Sequence, residues 1–477
     1  MVAHGSLRRQ LALALSLSTG LVATPASAEP GHVPNAASRF QPAGAKAAKK
    51  RTYSLKRCLE LAELNYPKVA SAKAKLKKYE AQLSEAHSAP FSQWTVKGGV
   101  ALAPTVAGTP IYSPNTDTSL SEDMGLAWQI GIEGVIPLWT FGKITNLWDA
   151  AEAQIDVGRH EVQKERQSVR KLVYEAYFGL KLARDSLALV RDAASRIDKY
   201  MGPLQQKVDD GEGDTIELLK LKMNRADLDG RESEAEEKVQ EALSALRFLT
   251  GVRSLDVADT PLKPVDHRLA PLPRYLSAAR LFRPEINMAR AGVRARQAQV
   301  RLQQAKYFPD LGLGLSAKYT RAPEVTDQQN PFVYDPANSL AYGAALVLRW
   351  NLDLLPNHAR VAQTEADLEE MRATEQYAIG GVAHEVEKAY NGARAASKRL
   401  EAYSKASLYA KQWLIQVQQG IDLGTMDEED IVDPAKEYAL KRFAKISAIY
   451  AYNMAIVQLA TATGWEAAMP NETKLEP

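Results

Sequence analysis

The sequence predicts a mainly α-helical chain that also carries membrane-type β-strands. The arrangement is a duplicated unit, a long antiparallel helical hairpin with a two-stranded β-hairpin attached. Three observations predict it. The chain matches itself at one large offset, its hydrophobic period switches from 3.6 to 2 and back in each copy, and two helical runs are too long for a globule.

A shift of 213 places carries Val173 onto Val386, Ala176 onto Ala389, Tyr177 onto Tyr390, Gly179 onto Gly392 and Leu187 onto Leu400. The same shift superposes Gln205 on Gln418, Gly211 on Gly424 and Thr250-Gly251 on Thr463-Gly464, and nearby offsets pair Pro67 with Pro284, Pro90 with Pro309 and Trp139 with Trp350. Repeat one is thereby set at 52–251 and repeat two at 283–464. Pro261, Pro264, Pro271 and Pro273 mark 252–282 as the joining linker, and 465–477 is a C-terminal tail.

Each copy begins with helical composition, as in 54–88, which is rich in Ala, Leu, Lys and Glu. The period then becomes two. Trp94, Val96, Gly98, Val100 and Leu102 alternate with Thr95, Lys97 and Gly99, and Leu126, Trp128, Ile130, Ile132 and Ile136 alternate with Ala127, Gln129, Gly131 and Glu133. In copy two, Leu311, Leu313, Leu315 and Tyr319 alternate with Gly312, Gly314, Ser316 and Lys318, and Leu340, Tyr342, Leu346, Leu348 and Trp350 do the same in the last run. The expected strands are about 92–102, 125–137, 311–319 and 340–350, long enough to cross a bilayer at a tilt. Trp94, Trp128, Trp139, Tyr319, Tyr342 and Trp350 stand at or near strand ends, where an interfacial aromatic belt belongs. Alternation alone also fits a soluble β-layer. Four strands cannot close a useful bore, so a membrane barrel would have to be shared between copies of the chain.

After each β-hairpin the period returns to 3.6. Lys143 to Val208 holds no proline until Pro203, and about 65 residues of helix would reach on the order of 100 Å. A break at Asp209–Gly213 precedes a return helix closed by Gly251. Copy two repeats this from about His358 to Gly420, breaks through Asp422 to Asp427, and returns to Gly464.

Composition narrows the classes further. Lys and Arg number 60 against 57 Asp and Glu, a formal charge of +3, which gives no electrostatic footprint for nucleic acid. Arg8 and Arg9, the apolar run Leu11–Val22 and the triplet Ala26-Ser27-Ala28 have the form of a secretory signal over 1–28, and 29–51 reads as a flexible basic lead-in. Cys58, the single cysteine, excludes an intramolecular disulfide or a multi-cysteine metal site. The seven histidines make no metal spacing; His384-Glu385 lacks the second histidine of a zinc-protease helix, and no nucleophile–base pair stands out. No enzymatic reaction and no cofactor are expected.

Four stretches in order resemble the TolC-like outer-membrane channel family (outer membrane efflux proteins): LKRCLELAELNYPKVASAKAKL at 55–76, VIPLWTFGKITNLWDAAEAQ at 135–154, RPEINMARAGVRARQAQVRLQQAKYFPDLGLG at 283–314 and QQGIDLGTMDEEDIVDPAKEYAL at 418–440. The resemblance implies a homotrimer in which each chain gives four strands to one twelve-stranded β-barrel, continued by an α-helical barrel through the periplasm. It implies a passive exit duct of a tripartite efflux pump or type I secretion system, in outer-membrane lipid, served by a periplasmic adaptor (membrane fusion) protein and an inner-membrane transporter. A soluble periplasmic coiled-coil adaptor or structural protein is the alternative.

Asp427, Glu428, Glu429, Asp430 and Asp433 are expected in the first turns of the final helix, where acidic side chains complement the helix dipole. Asp430 and Asp433, three apart, would share a side, and threefold assembly would turn each into a carboxylate ring at a periplasmic aperture. By the resemblance they fall on the family's entrance aspartates. Ile421 and Met426 stand where better-known members carry the aromatic and arginine of a closed lock. Glu217 holds the comparable place in copy one. The turns containing Gly211 and Asp214, and Leu423, Gly424 and Thr425, are where the resemblance implies adaptor contact.

Overall fold

The computed structural model describes residues 51–107, 119–325 and 334–464. The signal, most of the basic lead-in, the tail and the middles of both strand-connecting loops lie outside the described residues.

Short elements open each copy. Strand β1 (Arg51–Tyr53) leads into α1 (Leu55–Asn65), capped by the Ser54 hydroxyl, which accepts from the Arg57 N–H, and then α2 (Pro67–Ser88). The single helix expected over 54–88 is thus two helices. Tyr66 precedes a proline and is forced out of the α region, with φ −70° and ψ 125°. In copy two, α5 (Leu272–Phe282) and α6 (Pro284–Ala305) part in the same way at Arg283, with φ −73° and ψ 119°. Within the expected linker of 252–282, the last eleven residues form helix α5. Pro273 sits in the first turn, where a missing N–H costs nothing, so the proline read as loop punctuation opens a helix.

Between these helices lie the strands β2 (Trp94–Ala107), β3 (Ser119–Trp139), β5 (Asp310–Arg321) and β6 (Ser339–Arg349), and the linker holds a short β4 (Leu255–Val257) parallel to β1. The four long strands form one antiparallel sheet in the order β2-β3-β5-β6. The first hairpin runs well past the expected 102 and 125. Backbone pairing continues through Pro104 because that proline sits at a register shift, where no ladder donor is needed.

The rods are α3 (Lys143–Asp209, 67 residues), α4 (Thr215–Thr250), α7 (Leu354–Asp422, 69 residues) and α8 (Val432–Ala462). Along its first half α3 packs on α2 and α6; Lys75 pairs with Glu161, Arg294 with Asp156 and Arg301 with Asp149. Its second half packs on α4 and α8, through Arg191 to Glu232 and Glu236, Arg225 to Asp198 and Arg442 to Asp192. Helix α7 packs on α6 and then α8. Seam residues recur at three and four, as in Val239, Leu243 and Leu246 or Ala393 and Ala396, the spacing of knobs-into-holes pairs.

The main core lies at the middle of the rods, around Leu59, Val169, Val173, Tyr174, Leu180, Leu246, Val386 and Ile456. The linker is strapped across it. The Arg184 guanidinium donates to the Val257 carbonyl at 2.6 Å and pairs with Asp256, and Asp185 accepts from the Leu262 N–H at 2.8 Å. Lys181 donates to the Thr260 hydroxyl at 2.8 Å. From the other side, fully buried Asn453 accepts from the Val265 N–H and donates to the Lys263 carbonyl, both at 2.9 Å. Burial pushes the Lys181 ammonium down and the Asp185 carboxyl up from their ordinary values.

Candidate functional site

The sheet presents one apolar face, and the register makes it continuous. Val96 lies opposite Ile132, which lies opposite Ala317, which lies opposite Tyr342; Gly98, Ile130, Tyr319 and Leu340 form the next row, and Ile136, Leu313 and Leu346 another. Because side chains alternate, the polar positions in the middle of the sheet fall on the other face, where Lys97 pairs with Glu133, and charged residues join the apolar face only toward the loop end, at Glu122 and Arg321. The apolar side chains are exposed in the single chain, Val100 by 72% and Leu346 by 71%. An apolar sheet face of this extent needs a nonaqueous neighbour.

The six aromatic positions all lie on or next to this face. The Trp94 ring lies over Gly134, its cross-strand partner, leaving no room there for a Cβ. Trp128 and Tyr319 meet edge to face at 5.3 Å toward the loop end, and Tyr342 is 81% exposed. Trp139 has odd numbering, out of phase with the alternation. The register shift after Pro137 restores its phase and sets it opposite Leu311. Next to it, Phe141 stacks on Phe308 at 5.3 Å, and Trp350 donates its indole N–H to the Tyr307 carbonyl at 3.0 Å. Sequence reasoning missed Phe141 and Phe308. Both lie just beyond strand ends, in Trp-Thr-Phe-Gly and Tyr-Phe-Pro, outside any alternating run.

At the far ends of the rods the two hairpin turns share one backbone design. Gly211 (φ +84°) donates to the Val208 carbonyl and Glu212 to that of Lys207; Gly424 (φ +70°) donates to Ile421 and Thr425 to Gly420. These are paired Schellman closures, which need a left-handed residue that glycine supplies without strain. Leu423 is 79% exposed at the second turn, and the Thr425 hydroxyl donates back to Gly420.

Beyond the glycines the turns diverge. The Asp214 carboxylate caps α4 directly, accepting from the Ile216 N–H at 2.7 Å, and Glu217 follows in the first turn. In copy two a 3₁₀ turn, Glu428–Ile431, intervenes before α8. Asp427 and Asp430 therefore precede the final helix, against expectation, and Asp433 alone of the acidic run lies in it. Pro434 explains the delay: lacking an N–H, it cannot bond the Asp430 carbonyl, so α-type pairing starts later. The Asp430 carboxylate reaches back to the Asp427 N–H at 3.1 Å. Asp427, Asp430 and Asp433 are exposed, while Ile431 and Pro434 are buried one position over. Among the described residues no cluster could hold a metal ion, and no helix is long and apolar enough to cross a membrane.

An open sheet with a bilayer-facing side, carried on helical rods about 100 Å long, defines a subunit of a membrane-embedded channel. The pattern of the outer membrane efflux protein family matches residues 58–252 and 275–465, and the chain belongs to that family. It is accordingly an outer-membrane protein whose helices extend into the periplasm. It is 25% identical over 185 residues to the cobalt-zinc-cadmium resistance protein CzcC of Cupriavidus metallidurans, a stretch covering 38% of this chain and 44% of that protein. Its fold is similar to that of the transmembrane channel CusC, with TM-score 0.70 and 15% identity over 92% of this chain and 99% of that one. The outer membrane channel CmeC of Campylobacter jejuni gives 0.68 and 18%, over 88% and 91%.

Proposed function

We propose that the chain is the outer-membrane exit duct of a tripartite efflux pump or type I secretion system, a conduit with no reaction of its own. Three copies place their sheets edge to edge in a twelve-stranded barrel, and their rods continue it through the periplasm. The observation that carries this reading is the open four-stranded sheet with a single apolar face. Among the described residues no strand pairs with the outer edges of β2 and β6, and a neighbouring copy would fill them. A soluble coiled-coil adaptor would leave that face in water.

In the threefold arrangement, Asp430 and Asp433 become carboxylate rings at the periplasmic aperture, with Asp427 and Glu217 beside them. The exposed turns at Gly211 and Asp214 and at Leu423, Gly424 and Thr425 receive the adaptor, and an inner-membrane transporter drives export. The test is recording from single channels in planar bilayers after outer-membrane fractionation. Asp430→Ala with Asp433→Ala lowers cation preference and block by multivalent cations; unchanged selectivity would confine both residues to building the start of α8.

A further inference from the structure

Helices α4 and α7 end the row of rods on its two sides, since α4 packs on α3 and α7 on α8. Their exposed faces carry opposite charge. From Arg225 to Glu241, α4 holds seven acidic residues, Asp227, Asp229, Glu232, Glu234, Glu236, Glu237 and Glu241, against Arg225, Arg231 and Lys238. From Arg394 to Lys411, α7 holds Arg394, Lys398, Arg399, Lys405 and Lys411 against Glu401 alone. The formal charges are −4 and +4.

The strips also match in height. The acidic one lies 14 to 30 residues beyond Gly211 and the basic one 13 to 30 residues before Gly424, the two glycines that close equivalent turns. At 1.5 Å per residue both occupy about 20 to 45 Å above the tips. Within the chain, Arg191 takes Glu232 and Glu236, and Lys405 takes Glu401. Glu234 and Glu237, and Arg394, Lys398, Arg399 and Lys411, form no ion pair among the described residues and are exposed.

We propose that the two strips are the halves of one interface between copies of this chain, α4 of one against α7 of the next. The inference rests on the ring reading above and adds what selects the ring. A two-fold dimer pairs like surfaces, which here would set −4 on −4 or +4 on +4. Head-to-tail closure pairs unlike ones, at matched height. Exposed ion pairs contribute little each, so the strips govern partner choice and register more than total affinity.

The test uses the full chain in detergent, with the trimer-to-monomer ratio read by native mass spectrometry and helix content by circular dichroism. Glu234→Lys with Glu237→Lys, or Lys398→Glu with Arg399→Glu, lowers the ratio about tenfold at roughly 50 mM salt and less at roughly 500 mM, where screening is short-ranged. All four substitutions together restore it to within about twofold, which a mere folding defect would not allow. Unchanged ratios in the one-strip variants, or a combined variant no better than either, would overturn the charge pairing while leaving the ring intact. A wild-type chain that forms no trimer would overturn the ring reading, and the inference with it.

Discussion

The middle of the rods and their tips are made from the same duplicated helices, yet they are held together differently. At the middle, buried Arg283 donates to the Thr461 carbonyl and pairs with part-exposed Glu285 at 2.8 Å and exposed Glu385 at 2.7 Å, while Asn453 bonds two linker backbone groups. Gly464 abuts Phe282 so closely that a Cβ would lie 2.6 Å from its backbone carbon. At the tips, Gly211 and Gly424 have open space around them, and the turns rest on backbone closures and exposed carboxylate caps. Buried polar groups are costly to unpair, exposed ones are not. The middle is therefore a fixed girdle, and under the proposed function any movement that opens or closes the conduit is assigned to the tips.

Three substitutions sharpen that contrast. Arg283→Ala strands the Thr461 carbonyl and removes the cation from Glu285 and Glu385, and costs about 2–3 kcal/mol in denaturant unfolding. Asn453→Leu strands the Val265 N–H and the Lys263 carbonyl and costs about 2 kcal/mol in the same measurement. Asp214→Ala removes one cap, worth about 1 kcal/mol. Its loss shows as faster hydrogen exchange at Ile216–Leu218, with global unfolding unchanged. A global effect as large as that of Arg283→Ala would erase the distinction between tip and girdle.

The smallest effect is one of pH. His267 bonds the Tyr275 hydroxyl at 3.0 Å in the girdle, and burial holds its imidazole below the ordinary value of 6.5. The unfolded chain then takes up the proton first. Stability is complete above the unfolded value and declines as pH falls through the interval down to the folded one. Thermal melting at about pH 7.5 and 5.5 shows the decline, and His267→Asn flattens it.

Much of this was legible in the sequence. The 213-residue repeat, the four alternating runs and the two long rods follow from periodicity, because the apolar face of a strand and the seam of a helix pair both repeat along the chain. Local steric exceptions were harder to read. Pro104 and Pro137 look like strand ends and sit at register shifts, Pro273 looks like a linker and opens a helix, and Pro434 moves the start of α8 past Asp430. In each case the effect of a missing N–H depends on a partner strand or turn that the local sequence does not specify. The strap from Lys181, Arg184 and Asp185 to the linker pairs residues more than 70 positions apart with no repeating signal.

Single-cysteine labelling along β6 in outer-membrane vesicles tests most directly whether this sheet lines a channel through lipid. Cys58 can stay, since it is buried and its thiol is pushed up to about 12. Cysteines replacing Tyr342, Ala344 and Leu346 should resist a water-soluble thiol reagent and, once labelled, respond to a lipid-borne quencher; those replacing Gly343, Ala345 and Val347 should react from water. Equal aqueous reactivity of both sets would contradict the account.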